Sequence, residues 1–112
     1  MDGAESPFVG QLMKFPVVIK DLAEIDIVRG FEYFAKINPV LGDSFLIRLD
    51  EVVTRIADTP ELYAELKDGI RKVQLKQFPY VLGYLFENDT IYVLGLLHGR
   101  RRPSEWKQRR SR

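Results

Sequence analysis

The sequence contains no cysteine, one histidine and one tryptophan. The first absence excludes a disulfide framework and any thiolate metal site. Nowhere does the chain carry the roughly 20 consecutive apolar residues that a helix needs to cross a bilayer. The opening stretch, MDGAESPFVGQL, lacks the basic-then-apolar layout of a secretory signal. Strong charge of one sign is missing too, since 17 basic and 16 acidic side chains leave a net charge of only +1. These absences favour a cytoplasmic protein with no membrane partner, and no metal or cofactor is expected.

What is present is an ordinary globular balance, with 46% hydrophobic and 29% charged residues. A length of 112 residues suits one domain with one core. The charge is unevenly spread. From Arg100 to Arg112 there are seven basic residues and one acid, Glu105, a segment of +6 on a body of −5. A basic tail on an acidic body is expected where one end meets phosphate or an acidic partner, and a solvated tail is the alternative.

Along the chain, residues 1–12 show no periodicity and read as a flexible leader, with Met13 as an alternative start and 13–112 as the single domain. Phe15 to Ile19 (FPVVI) reads as a buried strand. Asp21 followed by Glu24 reads as an N-cap and capping box. Ala23, Ile27, Phe31 and Phe34 then recur at steps of three and four, as one face of a helix does. Asn38-Pro39 ends that helix, because proline lacks a donor and restricts its predecessor. A second helical stripe follows in Phe45, Leu49, Val52, Val53 and Ile56, stopped by Asp58-Thr59-Pro60. The two helices should form an antiparallel hairpin, with Gly42 serving a turn conformation. Tyr33 and Arg29 fall off the stripe and so are open to a partner or to solvent.

The period then changes. Val73 and Leu75 alternate with Lys72, Gln74 and Lys76, as in a strand with one buried side. YVLGYLF (80–86) and TIYVLGLL (90–97) are apolar on both faces, as central strands are. Glu87-Asn88-Asp89 is the hairpin loop between them. Pro103 suits the first position of a short last helix carrying Trp106. The order β-α-α-β-β-β with a short C-terminal helix makes an α+β domain, a helical hairpin packed on a small, mainly antiparallel sheet.

Several short motifs, in this order, resemble the RelE/ParE toxin superfamily. They are FPVVI, Leu41-Gly42-Asp43-Ser44-Phe45, Pro60-Glu61-Leu62, Ile70-Arg71-Lys72, Phe78-Pro79-Tyr80, and above all His98-Gly99-Arg100-Arg101-Arg102-Pro103 with Trp106. The likeness spans about residues 13 to 110. It implies the toxin of a bacterial type II toxin–antitoxin pair, neutralised by a cognate antitoxin. Its assembly would be a homodimer or a toxin–antitoxin hetero-oligomer. The resemblance also implies one of two targets. Some members poison DNA gyrase, and others cut messenger RNA on the ribosome as metal-independent endoribonucleases.

Metal-free RNA cleavage needs a proton donor and acceptor, with cations around the phosphorane. His98 is the candidate for proton transfer, with Arg71, Lys72 and Lys76 as candidate cations. For binding a target or the antitoxin, the candidates are Arg100, Arg101, Arg102, Trp106 and Tyr80, although a lone Trp in a proline-started turn is more often packing. The nuclease branch usually carries an arginine near the place where this chain has Phe78-Pro79-Tyr80. That departure favours the gyrase-poisoning, ParE-like branch. A degenerate member that binds its antitoxin without harm is a third reading.

Overall fold

The computed structural model describes residues 15–101 and 103–110, so the leader at 1–12 and Arg102 lie outside the described residues. Among the described residues seven elements follow one another: β1 (Val17–Ile19), α1 (Asp21–Ile37), α2 (Pro39–Asp58), β2 (Arg71–Gln74), β3 (Tyr80–Glu87), β4 (Thr90–His98) and α3 (Pro103–Arg110). The sheet order is β1-β4-β3-β2. Only the β1–β4 pair is parallel, so the sheet is mainly antiparallel as expected.

The hairpin forms where the apolar stripes place it. Asn38 is the single residue between α1 and α2. Its N–H closes α1 on the Phe34 carbonyl, and its side chain accepts the Val40 N–H at 2.9 Å to open α2. Pro39 then sits at the first helical turn, where its missing donor costs nothing. Ala23, Phe45, Leu49, Val52 and Ile56 are buried together with Val73, Leu82, Tyr84, Ile91, Val93 and Leu96 of the sheet. Ile27, Phe31 and Phe34 pack against this core from its margin.

The other face of the sheet is also covered. Ile70, Leu85, Leu94, Leu97 and Trp106 form a second buried layer beneath α3. Gly83 makes this possible, since a Cβ there would overlap the Trp106 ring. The C-terminal helix is thus a second packing layer.

Four local expectations need correction. Asp21 is the first helical residue, not the N-cap. Lys20 holds that place without a side-chain cap bond, so no capping box forms. Gly42 lies inside α2, where a Cβ would press on Ala35 of α1, so its role is close helix approach. Glu87 pairs with Thr90, and the hairpin loop is the two residues Asn88 and Asp89, both at positive φ (53° and 56°). Asn and Asp are the side chains that tolerate such a tight turn best after glycine. Finally, β1 covers only Val17–Ile19, with Phe15 instead packing edge-on to Phe86 at 5.1 Å.

One irregularity decides which residues meet. Along β3–β4 the register steps from Gly83↔Gly95 to Tyr84↔Val93, leaving Leu94 as an extra residue in β4. Such a bulge shifts the alternation of faces by one residue. Ile91 and Val93 point to the hairpin, and after the bulge so do Leu96 and His98.

Candidate functional site at the end of β4

Tyr80 and His98 are paired across β3 and β4, and their rings stand edge to face at 5.8 Å between centroids. α1 passes over this end of the sheet and brings Arg29 and Tyr33 to the same cleft, with Arg101 entering from the segment after β4. The His98 Nδ1 accepts the Arg100 N–H at 3.2 Å. In the neutral ring the proton is therefore on Nε2, which leaves that atom as a donor. Burial, reinforced by Tyr33, pushes the Tyr80 hydroxyl above its ordinary pKa, so it stays protonated. Arg101 also grips Glu105 at 3.0 Å, one turn into α3. Arg100 is exposed.

The other candidate cations do not join this group. Arg71 and Lys72 are adjacent in a strand, so they project to opposite faces of the sheet. Arg71 donates to the Tyr63 carbonyl and lies 3.5 Å from Glu65, and so helps to tie down the α2–β2 connection. Its partner on β3 is Tyr84, four residues from Tyr80, or about 13 Å along the strand. Lys72 lies over the Trp106 ring, 5.5 Å from its centre, on the α3 side. Lys76 is exposed just beyond β2, where the Leu75 N–H reaches the Tyr80 carbonyl at 2.9 Å. Trp106 itself is 4% exposed, so its ring serves packing and not an external base or partner. Among the described residues, no group of three or more His, Asp or Glu side chains is placed to hold a metal ion.

Sequence reasoning missed one part of this region, the pairing of Asp26 with Arg109 described below. The only signal was an acid set between Ile25 and Ile27 at the border of the α1 stripe, which is too weak to name its partner.

Comparison with known proteins decides the family. Residues 17–103 match the ParE toxin of the type II toxin–antitoxin system parDE. The chain belongs to the ParE toxin family. It is 29% identical over 82 residues to Toxin ParE2 of Mycobacterium tuberculosis, in both strain CDC 1551 / Oshkosh and strain ATCC 25618 / H37Rv. The match covers 72% of this chain and 78% of the relative in each case. Among solved structures, the chromosomal ParDE TA system from P. aeruginosa contains a chain that superposes with a TM-score of 0.65. That superposition covers 75% of this chain and 95% of the other at 15% identity, a likeness of fold. This ParE-family toxin thus has the RelE/ParE architecture that its motifs implied. Among its described residues, no helix is long and apolar enough to cross a membrane.

Proposed function

We propose that this ParE-family toxin arrests growth by docking on DNA gyrase and is neutralised by a cognate antitoxin. The observation that carries this reading is the dispersal of the candidate nuclease cations. Arg71 is tied to the α2–β2 connection, about 13 Å along the strand from the Tyr80 end, and Lys72 lies over the Trp106 ring on the other face of the sheet. Among the described residues, the cleft that holds His98 is lined by two cations, Arg29 and Arg101, the latter shared with Glu105. Arg100 and Arg101 instead present exposed charge at one end of the sheet, suited to steering and registering a protein partner. The hairpin also exposes apolar side chains, including Val28, Ile37, Val40 and Ile47, an area that an amphipathic antitoxin segment would cover.

The deciding experiment is induced expression of wild type, His98→Gln and Arg100→Glu/Arg101→Glu without antitoxin, alongside gyrase supercoiling by the purified proteins. Gyrase docking predicts a DNA-damage response, little change in His98→Gln and a marked loss of toxicity in the charge-reversed double variant. Ribosome-dependent cleavage of messenger RNA, lost in His98→Gln, would overturn the proposal in favour of the endoribonuclease reading. Absence of toxicity in the wild type would leave an antitoxin-binding protein without a target.

A further inference from the structure

The cleft at the end of β4 has two lobes of different chemistry, with volumes of about 260 and 250 Å³. Tyr33, Tyr80 and His98 form the wall they share. One lobe is otherwise closed by Phe34 and Pro79, so it is aromatic and apolar. The other is completed by Arg29, Gly30 and Arg101 and carries the cations.

The polar side chains of the second lobe act largely as donors. Arg29 is exposed and forms no ion pair among the described residues. Arg101 adds a second guanidinium, and His98 turns Nε2–H outward because Nδ1 is engaged by the Arg100 N–H. The one carboxylate on the wall, Asp26, is already bound by Arg109 and by the Leu96 N–H. An anion entering this lobe meets the Arg29 guanidinium, the Arg101 guanidinium, whose Nη1 also holds Glu105 at 3.0 Å, and an imidazole N–H. A flat ring entering the other meets the aromatic side chains of Tyr33, Phe34 and Tyr80, and aromatic side chains stack nucleobases without strict sequence preference. Tyr33 is 60% exposed, so its ring has room to move onto such a ligand.

We propose that the cleft binds a nucleoside phosphate, with the base in the Tyr33/Tyr80 lobe and the phosphate between Arg29, Arg101 and the His98 Nε2–H. The site shares Arg101 with the proposed gyrase-docking surface, but binding there requires neither gyrase nor catalysis.

The test is calorimetric titration of the full chain at low salt with adenosine monophosphate, adenosine and inorganic phosphate. Adenosine monophosphate should bind saturably and at least about tenfold more tightly than either fragment, because only it fills both lobes. Arg29→Ala should weaken it about fivefold or more while leaving adenosine unchanged. Tyr33→Ala should weaken both adenosine and the monophosphate, leaving phosphate unchanged. Both side chains are exposed, and an unchanged melting temperature verifies that each variant folds. Lack of saturable binding at millimolar monophosphate, affinity no better than that of phosphate, or indifference to both substitutions would each overturn the assignment.

Discussion

Arg109 and Asp26, 83 residues apart, meet in a two-pronged ion pair of 2.7 and 3.2 Å at the open edge of β4. The reason lies in β1, whose pairing ends where the Lys20 N–H reaches the Val93 carbonyl. Beyond that point no strand among the described residues pairs with this edge of β4. The Asp26 carboxylate accepts the Leu96 N–H at 3.0 Å, and Arg109 donates to the Leu94 carbonyl at 3.1 Å. Two side chains thus stand in for the missing strand and bond an edge that would otherwise stay open. Both are nearly buried, so removing one strands the other. Arg109→Ala should cost about 2–4 kcal/mol in chemical denaturation and accelerate exchange of the Leu96 amide. Combined with Asp26→Ala, the losses should be clearly less than additive. A cost below about 0.5 kcal/mol would place the pair with ordinary surface bridges.

Trp106 is the only tryptophan, so its fluorescence reports whether α3 lies on the sheet. Gly83→Ala inserts a methyl group where the indole ring sits. The expected result is a loss of about 1–3 kcal/mol, with emission shifted to longer wavelength as the ring is pushed toward water. Unchanged emission and stability would contradict the packing of this layer.

Phe45 is fully buried and contacts the rings of Phe34, Phe78 and Tyr80 at centroid distances of 5.5, 5.5 and 5.6 Å. It therefore joins both helices to the strand that carries the cleft. Phe45→Ala should cost roughly 3–5 kcal/mol through lost burial and a residual cavity. A melting temperature like that of the wild type would count against the hairpin's docking on the sheet.

Tyr84 is fully buried and donates its hydroxyl to the Pro60 carbonyl at 2.6 Å, holding the α2–β2 connection to the sheet. Burial pushes its pKa up to about 12, against a smaller opposing effect from Arg71. The native state therefore holds this proton more tightly than the unfolded chain, whose tyrosine titrates near pH 10. The stabilisation is complete below about pH 10 and is lost as pH rises from there toward 12. Near pH 7, Tyr84→Phe should cost about 1–3 kcal/mol by orphaning the carbonyl. The gap between wild type and variant should narrow by up to about 2 kcal/mol as pH rises through that window. A gap that does not change with pH would refute the linkage.

Most of the scaffold was legible because it depends on periodicity. Phe45, Leu49, Val52 and Ile56 recur at the helical step, and all four are buried on one side. Proline at 39 and 103 marks the helix starts by its fixed φ. The capping box was misread because Asp21 and Glu24 satisfy its spacing, but which residue leaves the helical conformation depends on where β1 releases the chain. The site was only half legible. His98, Tyr80 and Arg101 were named and do meet, whereas Lys72 projects to the other face of the sheet and Arg71 lies farther along the strand, held at the α2–β2 connection.

The amino-acid sequence by itself determined the element order, the two amphipathic helices, the all-apolar central strands and the membership signalled by the HGRRRP segment. These are local properties, set by backbone stereochemistry and by which side chains must leave water. Tertiary structure alone decided the parallel pairing of β1 with β4 and the Arg109–Asp26 closure of the edge beyond it. It alone also set the bulge at Leu94, which turns His98 onto the hairpin face beside Tyr80, Tyr33 and Arg29. A one-residue change of register reverses every later side chain of a strand, and its energy comes from contacts distant in sequence, which no local pattern contains.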